Sequence, residues 1–213
     1  VPAEREAPAN GLVGTDWEAL GCSRDQAHYA VSYARALLHE LGMPCLDEST
    51  TGTPERFVKA LLELTAGLRV DPDRHLARTF PAPTEDPGMI VVPGIAFVSL
   101  CEHHVLAFTG TAHLAYIPAP GGRVVGLSKL PRMVAEYAAR PQMQERLGAQ
   151  ITDAITRNLD TLGAACVIRS AHSCMTIRGA RATGAEMVTS HLAGEFRNDP
   201  AVRAEFLALV GVG

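Results

Sequence analysis

Apolar residues recur at helical spacing in "SRDQAHYAVSYARALLHELG", where Ala27, Ala30, Val31, Ala34, Leu37, Leu38 and Leu41 fall on one stripe. Ser23 and Gln26 stand at capping-box spacing before it, and Gly42 closes it. A second helix is predicted over "TTGTPERFVKALLELTAG", with Thr53 as cap, Pro54 at the first helical position and Gly67 at the end. The proline-rich stretch from Val70 to Gly88 reads as a long connection. Then the period changes. "MIVVPGIAFVSL" and "TAHLAYIPA" are β-branched or alternating and read as strands, with a turn at Gly121 to Arg123. Helices follow from Ser128 and from Pro141, the latter carrying Met143, Leu147, Ile151, Ala154, Ile155 and Leu159 on one stripe. "ACVIRSAHSCMTIRG" and "MVTSHLAGEF" make a second strand pair, and Asp199-Pro200 starts a last helix. Strands adjacent in sequence, with helices kept apart from them, predict an α+β fold on an antiparallel sheet.

Bulk properties narrow the classes of function. The chain has 213 residues, 47% of them hydrophobic and 20% charged, enough for a substantial core. Its formal net charge of −4 offers no global basic field to nucleic acid or to an anionic membrane. No apolar run approaches the roughly 20 residues of a membrane-spanning helix. Val1 to Gly14 is polar and Pro/Ala-rich, and reads as a loose tail rather than a leader. Five cysteines are an odd number at low density, which points to a reducing compartment and a cytoplasmic protein.

Chemistry gathers in two places. Cys101-x-x-His104, with His103 between, ends the first strand run at a spacing that lets one loop supply two metal ligands. Much further on, His172 and Cys174 lie two apart, so on a strand they would share a face. Either segment alone would be an ordinary solvated strand end or a buried thiol. Together they form a soft-to-borderline donor set that suits zinc, with one candidate too many, which leaves a histidine over for proton transfer. Three protein ligands would leave a position for an activated water.

An anionic ligand would need a local cluster of cations. Ser128, Lys129 and Arg132 surround a predicted helix start, Arg178 follows the His/Cys pair, and Arg56 and Lys59 open an earlier helix. In "RPQMQERL", Gln144 and Glu145 fall in a first helical turn, where they could complement the dipole or read the amide and amino edge of a guanine.

Taken together, "TPERFVK", "SLCEHHVLAFTG", "AYIP", "GLSKLPRMV", "RPQMQERL", "AHSCMTIRG" and "TSHLAGEF" resemble GTP cyclohydrolase I, in that family's order, over roughly Thr53 to Leu207. The resemblance implies the tunnelling fold, in which antiparallel strand pairs flank two helices and several subunits join their sheets into a barrel. On this reading residues 1–70 form an N-terminal tail and helical region, and 71–213 the catalytic domain. It further implies a homodecamer of two pentamers, active sites at subunit boundaries, and conversion of GTP and water to formate and 7,8-dihydroneopterin triphosphate. By matching position, Cys101, His104 and Cys174 would hold Zn2+, and His103 and His172 would carry protons. Glu145, with Gln144 beside it, would hold the guanine. Ser128, Lys129, Arg132, Arg178, Arg56 and Lys59 would line the triphosphate path. Being adjacent on an extended backbone, His103 and His104 would point to opposite sides.

Three departures from the family pattern stand out. Ala107 replaces a common proline, Arg169 a common acidic residue, and Ala185-Glu186 a pair of small hydroxylated residues. Arg169 has the strand parity opposite to His172 and Cys174, so it should face away from the metal, whereas Glu186 near a triphosphate would repel it. Two alternatives follow. One is a paralogue of the same fold and zinc chemistry that feeds a specialised pathway such as 7-deazapurine synthesis or acts on a modified guanine nucleotide, and the other a non-catalytic relative with a structural metal.

Overall fold

A computed structural model describes residues 15–211; the tail reading of Val1 to Gly14 therefore lies outside the described residues. The chain divides into two compact units, Val1–Arg69 and Val70–Gly213.

In the first unit, α1 (Arg24–Glu40) starts with the expected capping box. Gln26 N–H donates to Ser23 Oγ at 3.2 Å, and Ser23 N–H donates to Gln26 Oε1 at 2.9 Å. The second helix, α2 (Thr53–Leu64), begins one residue earlier than predicted: Gly52 is the cap and makes no side-chain bond. It also ends sooner. Thr65 returns its hydroxyl to the Leu61 carbonyl at 2.7 Å, and Gly67 lies in a 3-10 turn, Ala66–Arg69. Trp17, Cys22, Ala27, Val31, Ala34 and Val58 form this unit's core.

The second unit is built on a sheet of β2 (Ile90–Cys101), β3 (Leu106–Pro118), β6 (Thr161–His172) and β7 (Met187–Gly194). Short β5 (Pro141–Gln142) completes the order β5-β2-β3-β6-β7. All pairings are antiparallel except β5 with β2. A separate ribbon pairs β1 (Thr79–Pro81) with β4 (Arg123–Val125). Helices α3 (Lys129–Ala138) and α4 (Gln144–Asn158) cover one sheet face, where Leu114, Ile168, Met133, Ile151 and Ile155 are fully buried. Each such side chain contributes about 1.5–3 kcal/mol. After a single helical turn, α6 (Glu195–Asn198), the last helix, α7 (Pro200–Val210), capped by Asp199, covers part of the other face through Phe206 and Val210 against Ala165 and Val167.

Two local details place the site. The first is a bulge between Val92 and Ile95, at Pro93-Gly94, where Gly94 takes φ +70°. The extra residue shifts the alternation, so Ile95, Phe97 and Cys101 reach the helix-covered face. The second is β5. The helix predicted from Pro141 instead starts at Gln144, because Pro141 and Gln142 pair in parallel with Leu100 and Cys101. Glu102 N–H donates to the Gln142 carbonyl at 3.1 Å, which ties the end of β2 to the start of α4.

The long connection after Val70 is more ordered than its prolines suggest. Pro72–Ala77 forms a 3-10 turn capped by Asp71. Asp73 accepts from Tyr137 Oη (2.6 Å), Arg157 (2.6 Å) and Asn158 (2.8 Å), anchoring that turn to α3 and α4. Burial and the Asp73 carboxylate push the Tyr137 phenol up to about 12. Among the described residues no helix is long and apolar enough to cross a membrane.

Candidate active site

Cys101 ends β2 and is buried on the helix-side face. The chain then reverses over residues 102–105, with Val105 N–H donating to the Cys101 carbonyl at 2.8 Å. Val105 takes φ +54°, an uncommon conformation for a β-branched residue, costing on the order of 1–3 kcal/mol. This turn undoes the expectation that His103 and His104 diverge. The backbone there is not extended, so strand alternation does not apply. Nδ1 of His103 lies 3.9 Å, and Nδ1 of His104 3.8 Å, from Cys101 Sγ.

Cys174 arrives by another route than predicted. β6 stops at His172, and Cys174 sits in a single helical turn, α5 (Ser173–Thr176), so no shared strand face brings it in. Ser173 Oγ fixes that turn by donating to the Ala107 carbonyl on β3. Cys174 Sγ then lies 3.8 Å from Cys101 Sγ. Cys101, His104 and Cys174 offer donor atoms all within 4.8 Å of one another. Burial, with Cys101 beside it, holds the Cys174 thiol above its ordinary pKa, while Arg178 pulls it down. A cation between the two sulfurs would remove that penalty, because it stabilises thiolates. Two sulfurs and an imidazole fit a metal ion.

His172 approaches from the sheet. It lies on the same face as Ile168 and Ser170, and its ring stacks on Phe108, its partner across the ladder, at 4.3 Å and 6°. Nε2 lies 3.0 Å from Gln144 Oε1. Burial lowers its pKa, and the charge of Glu145 partly offsets this.

Gln144 and Glu145, adjacent at the start of α4, go separate ways. Glu145 is exposed. Gln144 is 1% exposed, and its amide is engaged within the chain rather than turned outward beside Glu145. Arg146 reaches the Cys101 turn: it donates to Glu102, to Gln142 Oε1 at 3.0 Å and to the Pro141 carbonyl at 3.1 Å. That hydrogen bond holds the Glu102 carboxyl below its ordinary pKa. Neither Arg146 nor Phe108 was singled out from the sequence. Their roles depend on a ladder register and a helix start that spacing does not reveal.

Of the predicted anion ligands, Ser128 is the N-cap of α3 and keeps its hydroxyl free of any capping bond. Lys129 is half-buried, and Arg132 and Arg178 are exposed. Arg56 and Lys59 lie on α2 in the other unit, where Arg56 donates to the Ser49 carbonyl (2.9 Å) and Thr53 Oγ1 (3.1 Å). The departures resolve in part. Arg169 lies on the face opposite His172 and pairs with Glu186 at 3.4 Å, so two of the unusual residues balance each other's charge.

Three convergent metal donors flanked by histidines are the arrangement that metal-assisted hydrolysis uses. The profile of the GTP cyclohydrolase I family matches residues 30–211. Similar proteins include GTP cyclohydrolase 1 of Rhodopirellula baltica, 45% identical over 179 residues (84% of this chain, 76% of that one). GTP cyclohydrolase 1 of Mycolicibacterium gilvum is 46% identical over 186 residues, covering 87% of this chain and 91% of its own. That of Pelotomaculum thermopropionicum is 43% identical over 183 residues, covering 86% and 96%. The chain belongs to the GTP cyclohydrolase I family.

Proposed function

We infer that this chain converts GTP and water to formate and 7,8-dihydroneopterin triphosphate, the first step of pterin and folate synthesis. The convergence of Cys101, His104 and Cys174 within 4.8 Å, next to an anchored His172, carries the reading. The ion that two thiolates and an imidazole suit is Zn2+, which when bound supplies the Lewis acidity that makes water nucleophilic near neutral pH. His104 serves as ligand, and His103 and His172 serve as proton carriers. A proton delivered to N7 of the purine makes C8 electrophilic, and further transfers accompany ring opening, loss of formate and closure of the pterin. The exposed carboxylate of Glu145 accepts from the N1 and N2 hydrogens of guanine, so adenine nucleotides are refused. Ser128, Lys129, Arg132 and Arg178 hold the triphosphate.

The fold is read as the tunnelling type, closing into a barrel across subunits of a cytoplasmic homodecamer. Support comes from the sheet edges. Among the described residues, β7 has no outer neighbour, and β5 covers only Leu100 and Cys101 of β2. Such edges invite pairing with another chain. The Arg169–Glu186 pair removes one reason to favour a specialised paralogue, since Glu186 does not stand uncompensated. The test is incubation of the zinc-loaded protein with GTP. Pterin fluorescence after oxidation, with stoichiometric formate, is expected; GTP left intact would refute the reading.

A further inference from the structure

Gln144 has more hydrogen-bond partners than its place beside the guanine-reading carboxylate requires. Its Nε2 lies 3.1 Å from each of three oxygens: the Ile168 carbonyl, the Met187 carbonyl and Thr189 Oγ1. Two of these can only accept, so the amide group cannot flip without setting Oε1 against carbonyl oxygens. Oε1 therefore points the other way, toward Ser170 Oγ and His172 Nε2. That oxygen also only accepts. It follows that His172 carries a hydrogen on Nε2, and in the neutral ring Nδ1 is the nitrogen with the free lone pair. Phe108, stacked at 4.3 Å, fixes the plane of the same ring. Ring plane, ring flip and tautomer are thus all set from inside the protein.

The helix can come this close for a local reason. A Cβ at Gly148, one turn along α4, would lie 2.3 Å from His191 Cδ2 on β7, so any larger residue would have to displace that ring for the helix to approach as closely. That approach brings Gln144 onto the carbonyls of β6 and β7.

We propose that Gln144 is a positioning residue for His172, presenting its Nδ1 to the substrate, and does not itself touch the nucleotide. The proposal rests on His172 being a proton carrier. It gives each residue in the first turn of α4 a separate role, with Gln144 facing inward to the histidine, Glu145 outward to the ligand, and Arg146 sideways to Glu102 on the metal-binding turn.

The experiment uses the zinc-loaded full chain and a double-mutant cycle. Gln144→Ala and the milder Thr189→Val, which removes one amide anchor, are each made alone and combined with His172→Ala. Zinc content, GTP affinity, KM and kcat are measured for each. Alone, Gln144→Ala should lower kcat for pterin formation about 10- to 100-fold, with GTP affinity and KM within about 2-fold and zinc retained. Thr189→Val should act in the same direction but less, so the question is answered even if Gln144→Ala does not fold. Combined with His172→Ala, either change should alter the residual ring-opening rate by less than about 2-fold. Equal losses in both backgrounds would show a role independent of His172 and overturn the proposal. So would a rise in KM with weakened preference for GTP over ITP, which would put Gln144 on the guanine. Full pterin synthesis by His172→Ala alone would instead sink the proton-carrier reading, and this inference with it.

Discussion

The end of β6 and the β2–β3 turn, which meet at the site, are held in opposite ways. On the β6 side, His172 is stacked on Phe108 and hydrogen-bonded to a 1%-exposed glutamine that is itself fixed by three acceptors. On the turn side, His103 and His104 are exposed, Val105 is strained, and the side-chain anchor from outside the turn is the Arg146–Glu102 ion pair. The packed side meets its geometry without help. The turn side brings its donors within 4.8 Å of Cys174 on a strained, exposed segment, where a bound ion would supply the fixing that packing does not. A proton carrier must be set before substrate arrives, whereas metal donors can be drawn in by the ion itself.

Removing a metal donor should therefore cost most. Cys174→Ala is expected to lose zinc to background by elemental analysis and pterin formation with it; full occupancy would remove Cys174 from the site. A smaller loss is expected from the exposed cations. Arg178→Ala should weaken GTP binding by about 10- to 100-fold, as for a charge-assisted bond of about 1.5–3 kcal/mol, while guanosine binding stays within about 2-fold. Equal losses for both ligands would mean that Arg178 does not meet the phosphates.

The smallest effect belongs to the packed face and to the sheet behind it. Burial lowers the pKa of His191, which lies against Gly148, and of His113, where the charge of Arg169 adds to the effect. Below the ordinary value of 6.5 the unfolded chain then binds more protons than the folded one, so this contribution is present above that pH and lost on acidification. The denaturation midpoint should fall from pH 7.5 to 5.5, and His191→Gln should lessen the fall. An unchanged profile in that variant would assign the acid sensitivity elsewhere.

Much of this architecture is legible in the residues because it is local. Capping at Ser23 and Asp199 and the apolar stripe of α4 report their elements directly. The partnership of Cys101 with Cys174 is legible by donor chemistry, though its geometry is not, since Cys174 comes in on a helical turn rather than by strand alternation. What escapes the sequence is whatever depends on register. Phe108 meets His172 because β3 and β6 pair at that step, and Gln144 faces inward because β5 takes Pro141 and Gln142 out of the helix. The bulge at Pro93-Gly94 left a visible sign, a proline-glycine pair inside a strand, and that sign explains why Cys101 faces the helices.

On the proposed reading, the contrast between the two sides reduces to a division of labour between histidines, with His104 on the metal and His172 carrying protons from a fixed mount. Zinc content and product analysis of His104→Ala and His172→Ala, made side by side and given GTP, test it directly. His104→Ala should lose zinc. His172→Ala should keep it, open the imidazole ring and stall, so that a formamidopyrimidine nucleotide accumulates by mass spectrometry without pterin fluorescence. A zinc-free His172→Ala protein would make that residue a ligand, and one that kept both zinc and full pterin synthesis would show that it carries no essential proton.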